Sequence, residues 1–315
     1  MVSTIWLCPG QGAQKVGMGR DLAERFPAAR DTFAAIDDAL GVPLSRLMFE
    51  GPEDELTATQ NTQPAILAHS AAVFAVVRPK VDAGGGAAGA AGHSLGEYSA
   101  YVTAAALAAP EAAKLVRRRG ELMQKAGEER PGTMAAVLGL ATAEVEAACE
   151  EASQQASIAV AANVNAPDQT VISGDADAVA RAGEACKKRG AKRVIPLKVS
   201  GAFHSPLMAP AANHLQLALE RAAFVDPAFP VIANATAEAV KDAGRARRLL
   251  ADQLTAAVRW VECMQHAARL GGEDARFLEI GPGTVLAGLL KRIVPGANVV
   301  SLGTAAEVTQ FMEAA

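Results

Sequence analysis

The chain begins with a short apolar segment that a glycine-rich segment follows. Residues 4–8, TIWLC, are apolar at nearly every position and stop at Pro9, a pattern typical of a buried strand. The glycine-rich segment 11–19 comes next, and a helical pattern starts at Asp21. We therefore predict that the chain opens as strand, loop and helix.

Two further segments show patterns of a buried core. Residues 63–77, QPAILAHSAAVFAVV, are apolar on nearly every face and start beside a proline, as expected of a buried central helix. Residues 83–91 are almost all glycine and alanine, so only their position before segment 92–96 predicts a strand there.

The middle of the chain alternates between strand and helix patterns. Strand patterns cover 134–140, 158–165, 170–175 and 193–199. Helical patterns fill the first and third gaps, at 142–156 and 176–190, and a short turn joins the middle pair. The order βαββαβ is that of a ferredoxin-like unit.

This unit interrupts a larger α/β body, because strand patterns of the first kind return at 230–234 and 275–283. We predict a large subdomain of residues 1–131 and 200–315 and a ferredoxin-like small subdomain of residues 132–199. Two subdomains imply a cleft between them, where a ligand would bind.

Composition excludes some partners. The net charge of −4 gives no overall basic field for nucleic acid or an anionic membrane, and no segment has the length of a membrane span. The four cysteines lie far apart without a C-x-x-C pair or a Cys/His cluster, so neither a zinc site nor a disulfide framework is predicted. The N-terminus has no basic region of a signal peptide, and we expect a cytoplasmic protein with reduced thiols.

Residues 92–96, GHSLG, match the nucleophile elbow G-x-S-x-G. Flanking glycines allow a turn tight enough to expose the hydroxyl of Ser94 between a strand and a helix. An alternative is that Ser94 is a helix N-cap and Glu97, three residues on, completes a capping box. The two interpretations are compatible.

A nucleophilic serine needs a base, and the chain has five histidines, at positions 69, 93, 204, 214 and 266. His204 stands out because it lies in 198–208, KVSGAFHSPLM, where a strand pattern gives way to a loop constrained by Pro206. The pattern leaves open whether His204 is catalytic or structural.

Two basic segments also have two interpretations each. Arg119 ends the run of arginines at 117–119, and such a run is typical of a solvated helix face. Lys187, Lys188 and Arg189 end a predicted helix, where cations complement the helix dipole, although they would also suit an acidic partner.

The loop after the first strand offers a rival function. Gly10 and Gly12 are spaced as in a dinucleotide-binding turn, but Lys15 stands where that fingerprint needs its third glycine. The loop also lacks the G-K-[ST] ending of a P-loop.

In order along the chain, eight segments together resemble the malonyl-CoA:acyl-carrier-protein transacylases of fatty acid synthesis and the related acyltransferases of polyketide synthesis. They are PGQGAQ (9–14), TQPAI (62–66), GHSLGE (92–97), RRGELMQ (118–124), NAPDQTVISG (165–174), GAFHSPLM (201–208), QLTAAVRW (253–260) and EIGPG (279–283). The resemblance implies an α/β-hydrolase-like body with a ferredoxin-like insert.

The resemblance also implies roles for particular residues. Ser94 would be the nucleophile, His204 its base, and the backbone N–H groups of Leu95 and Gln11 the oxyanion hole. Arg119 would hold the malonyl carboxylate. Further residues expected by resemblance are the substrate-binding Gln63, Asn165 and Phe203, the last associated with malonyl rather than methylmalonyl selection, and Gln253, whose carbonyl would orient His204.

The implied reaction is a ping-pong transfer of malonyl from malonyl-CoA to acyl carrier protein, with no metal or redox cofactor. The alternatives are a discrete polyketide acyltransferase and a serine hydrolase or thioesterase of related fold. We expect a monomer that binds neither nucleic acid nor membrane. Ala257 departs from the family pattern, because many relatives have proline there, in the loop that supports His204.

Overall fold

The computed structural model describes residues 2–314, and its strands form two separate sheets. In chain order the strands are β1 (Thr4–Cys8), β2 (Ala87–Gly92), β3 (Thr133–Leu138), β4 (Ala159–Ala166), β5 (Gln169–Gly174), β6 (Arg193–Pro196), β7 (Val231–Ile232), β8 (Ala239–Val240), β9 (Arg276–Ile280) and β10 (Asn298–Leu302).

Helices surround both sheets. They are α1 (Arg20–Arg25), α2 (Pro27–Leu40), α3 (Leu44–Glu50), α4 (Glu53–Thr57), α5 (Thr59–Ala83), α6 (Gly96–Thr103), α7 (Ala109–Glu129), α8 (Thr142–Ala152), α9 (Ala176–Lys188), α10 (Ala209–Arg221), α11 (Ala243–Asp252), α12 (Trp260–Gly271), α13 (Val285–Ile293) and α14 (Ala305–Glu313), with a short 3-10 helix at Pro206–Met208.

The larger sheet has the order β10-β9-β1-β2-β7-β8. Its pairs are parallel except for the last, in which β8 runs antiparallel to β7. The first strand of the chain therefore lies inside the sheet, between β2 and β9. The carboxyl ends of the parallel strands share one edge, where α/β proteins bind ligands.

The smaller sheet is antiparallel, with the order β4-β5-β3-β6, and α8 and α9 cover it. This is the ferredoxin-like order for a βαββαβ unit. The mixed α/β fold with a ferredoxin-like insert, expected from the sequence, is confirmed. All strands of the smaller sheet fall within the predicted segment 132–199, although β6 ends at Pro196 rather than at position 199.

Two predicted elements differ in extent from the observed ones. Helix α5 begins at Thr59 and ends at Ala83, so Pro64 lies inside the helix and not at its first residue. The predicted strand 230–234 is only two residues long, Val231–Ile232. The interior of α5 is buried on successive faces, as its apolar pattern predicted.

Strand β2 is made of alanine and glycine because its neighbours lie close. A Cβ placed on Gly89 would come within 2.6 Å of the Leu270 side chain, on α12. Ala90 and Ala91 are fully buried. Small residues thus let helices approach both faces of this strand, which removes the β-branched pattern by which strands are predicted.

Main-chain hydrogen bonds join the two subdomains beside the cleft. The Val258 N–H donates to the Ala162 carbonyl at 2.8 Å, and the Val164 N–H donates to the Val258 carbonyl at 2.9 Å. Val258 thereby pairs in parallel beside β4, the edge strand of the smaller sheet. The segment that follows α11 is fixed to the small subdomain.

Candidate active site

Ser94 occupies the sharp turn between β2 and α6, with a φ of 52°. The turn needs its glycines, because a Cβ on Gly92 would lie 1.9 Å from the Gly96 carbonyl oxygen. A Cβ on Gly96 would lie 2.2 Å from the carbonyl oxygen of Cys8, the last residue of β1. The left-handed conformation of Ser94 is unusual for a residue with a side chain, and strain of this kind accompanies nucleophile elbows.

The capping-box interpretation of Ser94 and Glu97 is wrong. The N-cap of α6 is Leu95, and no side chain caps it. The Glu97 carboxylate instead accepts hydrogen bonds from the Asn234 N–H at 2.9 Å and from Gln253 Nε2 at 2.7 Å.

His204 is in hydrogen-bonding distance of the nucleophile. Its Nε2 lies 2.7 Å from Ser94 Oγ, and its Nδ1 lies 2.8 Å from the Gln253 carbonyl oxygen. A carbonyl only accepts, so Nδ1 carries the proton and Nε2 is free to accept the serine proton. His204 is 4% exposed, and burial, reinforced by the Arg119 charge, lowers its pKa to about 3. The ring is therefore neutral at pH 7, the form in which it can act as a base.

The group that orients His204 is a main-chain carbonyl. Within residues 2–314 the hydrogen bonds of the ring go to Ser94 and Gln253, and no carboxylate contacts it. The Gln253 carbonyl fixes the tautomer and the ring plane, as the acidic residue does in a Ser-His-Asp triad.

Arg119 is buried beside the nucleophile, with 1% of its surface exposed, so the interpretation as a solvated face is wrong for this residue. Its Nη1 donates to Gln63 Oε1 at 2.7 Å, and its Nη2 donates to Ser94 Oγ and Gln253 Oε1, each at 3.0 Å. These acceptors are all neutral. The guanidinium is therefore a buried cation at the nucleophile whose described hydrogen bonds include no carboxylate.

Two residues whose backbone amides are expected, by resemblance, to form an oxyanion hole lie at the cavity that contains Ser94. Leu95 follows the nucleophile directly, and Gln11 lies on the loop after β1; both line the cavity that contains Ser94. Within the described residues neither N–H donates a hydrogen bond to another protein group. Both are free to bind a developing oxyanion.

The cavity lies between the subdomains and has a volume of about 540 Å³. It brings the carboxyl edge of the larger sheet, α7 and the segment after β6 together. Its lining residues are Gln11, Gly12, Gln14, Thr57, Ala58, Thr59, His93, Ser94, Leu95, Arg119, Met123, Gln124, Met134, Asn163, Leu197, Lys198, Val199, Ser200, Phe203 and His204. The Gly10–Gly12 turn thus borders Ser94.

Two residues expected to bind substrate do not line this cavity. Gln63 is fully buried and supports Arg119. Asn165 Oδ1 lies 2.8 Å from Nε2 of His93, which is a residue of the elbow. Phe203 does line the cavity and is 6% exposed.

The sequence patterns predicted no role for Asn234, whose side chain forms hydrogen bonds with the backbone of the elbow. Its Oδ1 accepts from the Ser94 N–H at 2.7 Å, and its Nδ2 donates to the Gly92 carbonyl at 2.8 Å. The residue follows β7 at the carboxyl edge of the sheet. An amide side chain at the end of a parallel strand next to the nucleophile strand was the signal that could have identified it.

Within the described part of the chain, no three His, Cys, Asp or Glu side chains come together as metal ligands. Its four cysteines are free and buried. None of its helices is both long and apolar enough to cross a lipid bilayer.

A neutral histidine that can accept the Ser94 proton and two free amides at the same cavity, on this mixed α/β fold, are the features of an enzyme that forms an acyl ester on a serine. Comparison with known proteins gives the family. Residues 5–313 match the family described as Acyl transferase domain, and the chain belongs to this family.

Relatives within the family are similar over nearly their whole length. The chain is 42% identical over 293 residues to the malonyl CoA-acyl carrier protein transacylase of Bacillus subtilis, covering 93% of this chain and 91% of the relative. It is 41% identical to the protein of the same name from Escherichia coli, covering 99% of this chain and 100% of the relative.

Solved structures of proteins with similar names have the same fold as this chain. An acyl carrier protein S-malonyltransferase from Vibrio cholerae superposes with a TM-score of 0.93 at 41% identity, covering 98% of this chain and 99% of the other. A malonyl-transacylase solved in complex with a type II polyketide acyl-carrier protein also gives 0.93, at 42% identity and 99% coverage of both chains.

Proposed function

We propose that this enzyme transfers a malonyl group from malonyl-CoA to the phosphopantetheine thiol of an acyl carrier protein, through a malonyl ester of Ser94. The observation that carries the proposal is the Arg119 guanidinium, which lies 3.0 Å from Ser94 Oγ and hydrogen-bonds only to neutral protein groups within residues 2–314. A buried cation at the nucleophile suits an acyl group that ends in a carboxylate.

In the first half-reaction the Ser94 oxygen attacks the thioester carbon while its proton passes to His204 Nε2. The carbonyl oxygen becomes an oxyanion held by the N–H groups of Leu95 and Gln11. When the carbon–sulfur bond breaks, His204 returns the proton to the departing sulfur, which leaves CoA as a thiol. The acyl group remains on Ser94 as an ester.

The second half-reaction is the reverse with a different thiol. The phosphopantetheine thiol enters the cavity, gives its proton to His204 and attacks the ester carbon. The carbon–oxygen bond to Ser94 breaks, and the oxygen takes the proton back. Because the two thioesters and the intermediate ester are close in energy, the cycle is reversible.

The proposed chemistry needs no metal or redox cofactor, since no atom changes its oxidation state and His204 supplies the proton transfer. We propose acyl carrier protein as the macromolecular partner, and we place a monomeric enzyme in the cytoplasm, away from nucleic acid and membranes. The buried free cysteines suit a reducing compartment. Carrier proteins of fatty acid and of polyketide synthesis are both candidate acceptors.

The competing function is a serine hydrolase, which would pass the acyl group to water. Names of the relatives favour transfer. The test is mass spectrometry of the enzyme after brief exposure to malonyl-CoA, followed by addition of a phosphopantetheinylated carrier protein. We expect a malonyl adduct on Ser94 that persists in buffer and moves to the carrier; Ser94→Ala should form none. Loss of the adduct to water at the same rate with and without carrier would identify a hydrolase.

A further inference from the structure

The mechanism above leaves one buried carboxyl unused. Glu97 is fully buried beneath the elbow, where its Oε2 accepts from the Asn234 N–H at 2.9 Å and from Gln253 Nε2 at 2.7 Å. Its Oε1 is buried without a hydrogen-bond partner in the described part of the chain. Buried carboxyl groups are costly unless paired, so its position beside the reacting groups needs an explanation.

Gln253 links this carboxyl to the reacting groups. Its Nε2 donates to Glu97, its Oε1 accepts from Arg119 Nη2 at 3.0 Å, and its main-chain carbonyl accepts from His204 Nδ1 at 2.8 Å. An ionised carboxylate only accepts hydrogen bonds. Both hydrogen bonds go to Oε2, which still accepts when a proton lies on the unpartnered Oε1, so in either state Glu97 holds the Gln253 amide with its nitrogen toward Glu97 and its oxygen toward the guanidinium.

The surroundings of Glu97 bring the pKa of its carboxyl group close to neutral pH. Burial raises its pKa to about 7, against the lowering effect of its two hydrogen bonds and of the Arg119 charge. The neighbouring His204, Tyr98, Tyr101 and Cys263 have pKa values far from neutral pH. Burial lowers the pKa of His204 to about 3 and raises the pKa of Tyr98, Tyr101 and Cys263 far above neutrality.

We infer that Glu97 is a positioning residue for carboxylate-bearing acyl groups: through Gln253 it holds Arg119 at the nucleophile, and it takes up a proton when an acyl carboxylate pairs with Arg119. The inference rests on the proposed function.

The direction of the coupling follows from charge. In the free enzyme, ionised Glu97 offsets the buried guanidinium across the Gln253 amide. A malonyl carboxylate at Arg119 adds a second negative charge to the same buried region, and like charges disfavour ionisation. Glu97 then binds a proton more tightly, so malonyl occupancy and protonation of Glu97 favour each other.

The experiment measures proton uptake on acylation. Enzyme at pH 7 in weak buffer with an indicator dye is mixed with malonyl-CoA, and the malonyl adduct on Ser94 is counted by mass spectrometry in the same samples. We expect uptake of a fraction of a proton per adduct, because the pKa of Glu97 lies near the pH of the experiment and part of the Glu97 groups are ionised in the free enzyme. Glu97→Gln, which keeps an acceptor oxygen but cannot titrate, should show none.

Glu279→Gln is the matched control. Glu279 is also a fully buried carboxyl whose pKa burial raises, but it accepts from the Leu286 and Ala287 N–H groups and lies outside the cavity. This variant should keep the uptake of the unmodified enzyme. An adduct that forms without uptake, or with equal uptake in Glu97→Gln, would overturn the inference and leave the proposed function standing; absence of any adduct would overturn both.

A second measurement compares substrates. The ratio of kcat/KM for malonyl-CoA to that for acetyl-CoA should fall by up to about tenfold between pH 6 and 8, as Glu97 ionises in the free enzyme. Both substrates react with the same Ser94–His204 pair. Any effect of its titration on kcat/KM is therefore the same for both and cancels in the ratio. In Glu97→Gln the ratio should be independent of pH, and a slope like that of the unmodified enzyme would reject the coupling.

Discussion

Arg119 shows how one residue can decide the choice of substrate. Its guanidinium forms two hydrogen bonds to glutamine oxygens and one to the nucleophile, all within the protein interior. A planar, two-pronged donor can bind a carboxylate through two parallel hydrogen bonds, which an ammonium group cannot reproduce. Malonyl has this carboxylate and acetyl does not.

We therefore predict that Arg119→Ala lowers kcat/KM for malonyl-CoA by about 30-fold to several thousand-fold, the result of losing roughly 2–5 kcal/mol from a buried charged pair. Acetyl transfer should fall far less, because acetyl leaves the cation unpaired in any case. Arg118→Ala is the control, since Arg118 is exposed and paired with Glu121. Equal losses for both thioesters in Arg119→Ala would contradict a carboxylate site.

Single residues also show how far sequence reasoning reaches. The elbow could be predicted because its requirement, glycine on each side of Ser94, lies within five consecutive positions. The burial of Arg119 could not, because the neighbouring arginines carry the same charge and only the packing of α7 on α5 distinguishes them. Asn234 contacts Ser94 across 140 positions, and no local pattern carries that information.

At the scale of elements, the segment between α11 and α12 supplies the carbonyl that orients His204. Ala257 lies in this segment, at a position where the family resemblance led us to expect proline. Its N–H donates no hydrogen bond within the described residues, whereas the next N–H, of Val258, donates to Ala162. Proline at this position would therefore remove no main-chain hydrogen bond, and Ala257 is not among the residues with a positive φ.

Ala257→Pro should therefore raise the free energy of unfolding by about 0.4–1 kcal/mol, because proline restricts the unfolded chain. Urea denaturation measures the change, and malonyl transfer should be unaltered since the Gln253 carbonyl keeps its place. Ala256→Pro is the contrasting variant: the Ala256 N–H donates to the Asp252 carbonyl, so proline there should destabilise. A destabilised Ala257→Pro would show that this backbone cannot accept proline.

The basic cluster at the end of α9 favours the structural interpretation. Lys187 pairs with Glu184, and Arg189 pairs with Glu144 and Glu151 on α8. Lys198, by contrast, is exposed, lines the cavity and forms no ion pair within residues 2–314. Lys198 is therefore placed to contact an acidic carrier protein that delivers its arm to the cavity.

We predict that Lys198→Ala raises the KM for carrier protein by roughly 2- to 5-fold, as expected for the loss of one exposed charge contact. Lys187→Ala, another exposed lysine, should leave this KM unchanged. Steady-state assays at two salt concentrations test the prediction. A larger effect at Lys187 would return the docking surface to α9.

For the whole molecule, buried neutral histidines link stability to pH. Burial lowers the pKa of His69 to about 4 and that of His204 to about 3. In the unfolded chain a histidine has a pKa near 6.5. The stability that the two buried histidines contribute to the fold is therefore complete above pH 6.5, and it is lost as the pH falls toward their pKa values in the folded protein. Between those pH values each histidine lowers the free energy of unfolding by up to about 1.4 kcal/mol for every pH unit that the pH falls.

His69→Gln should therefore lose less stability than the unmodified enzyme between pH 6.5 and 4.5. His69 lies on α5, away from the Ser94 cavity, and its Nδ1 has no hydrogen-bond partner in the part of the chain that the structure describes. Denaturation midpoints across this pH range give the comparison. His214→Gln, at an exposed site on α10, should follow the unmodified protein; the same acid sensitivity in His69→Gln would remove His69 from the explanation.

The place of β1 inside the larger sheet has a consequence for biosynthesis. β1 leaves the ribosome before the other strands of its sheet, and one of its two neighbours, β9, begins only at Arg276. A nascent chain that ends before this point exposes one edge of a fully buried apolar strand, and unpaired strand edges promote aggregation. The sheet that carries the nucleophile can thus be completed only after β9 and β10 have been synthesised, so chaperones that cover β1 before that point should aid production of this enzyme more than those that act after release.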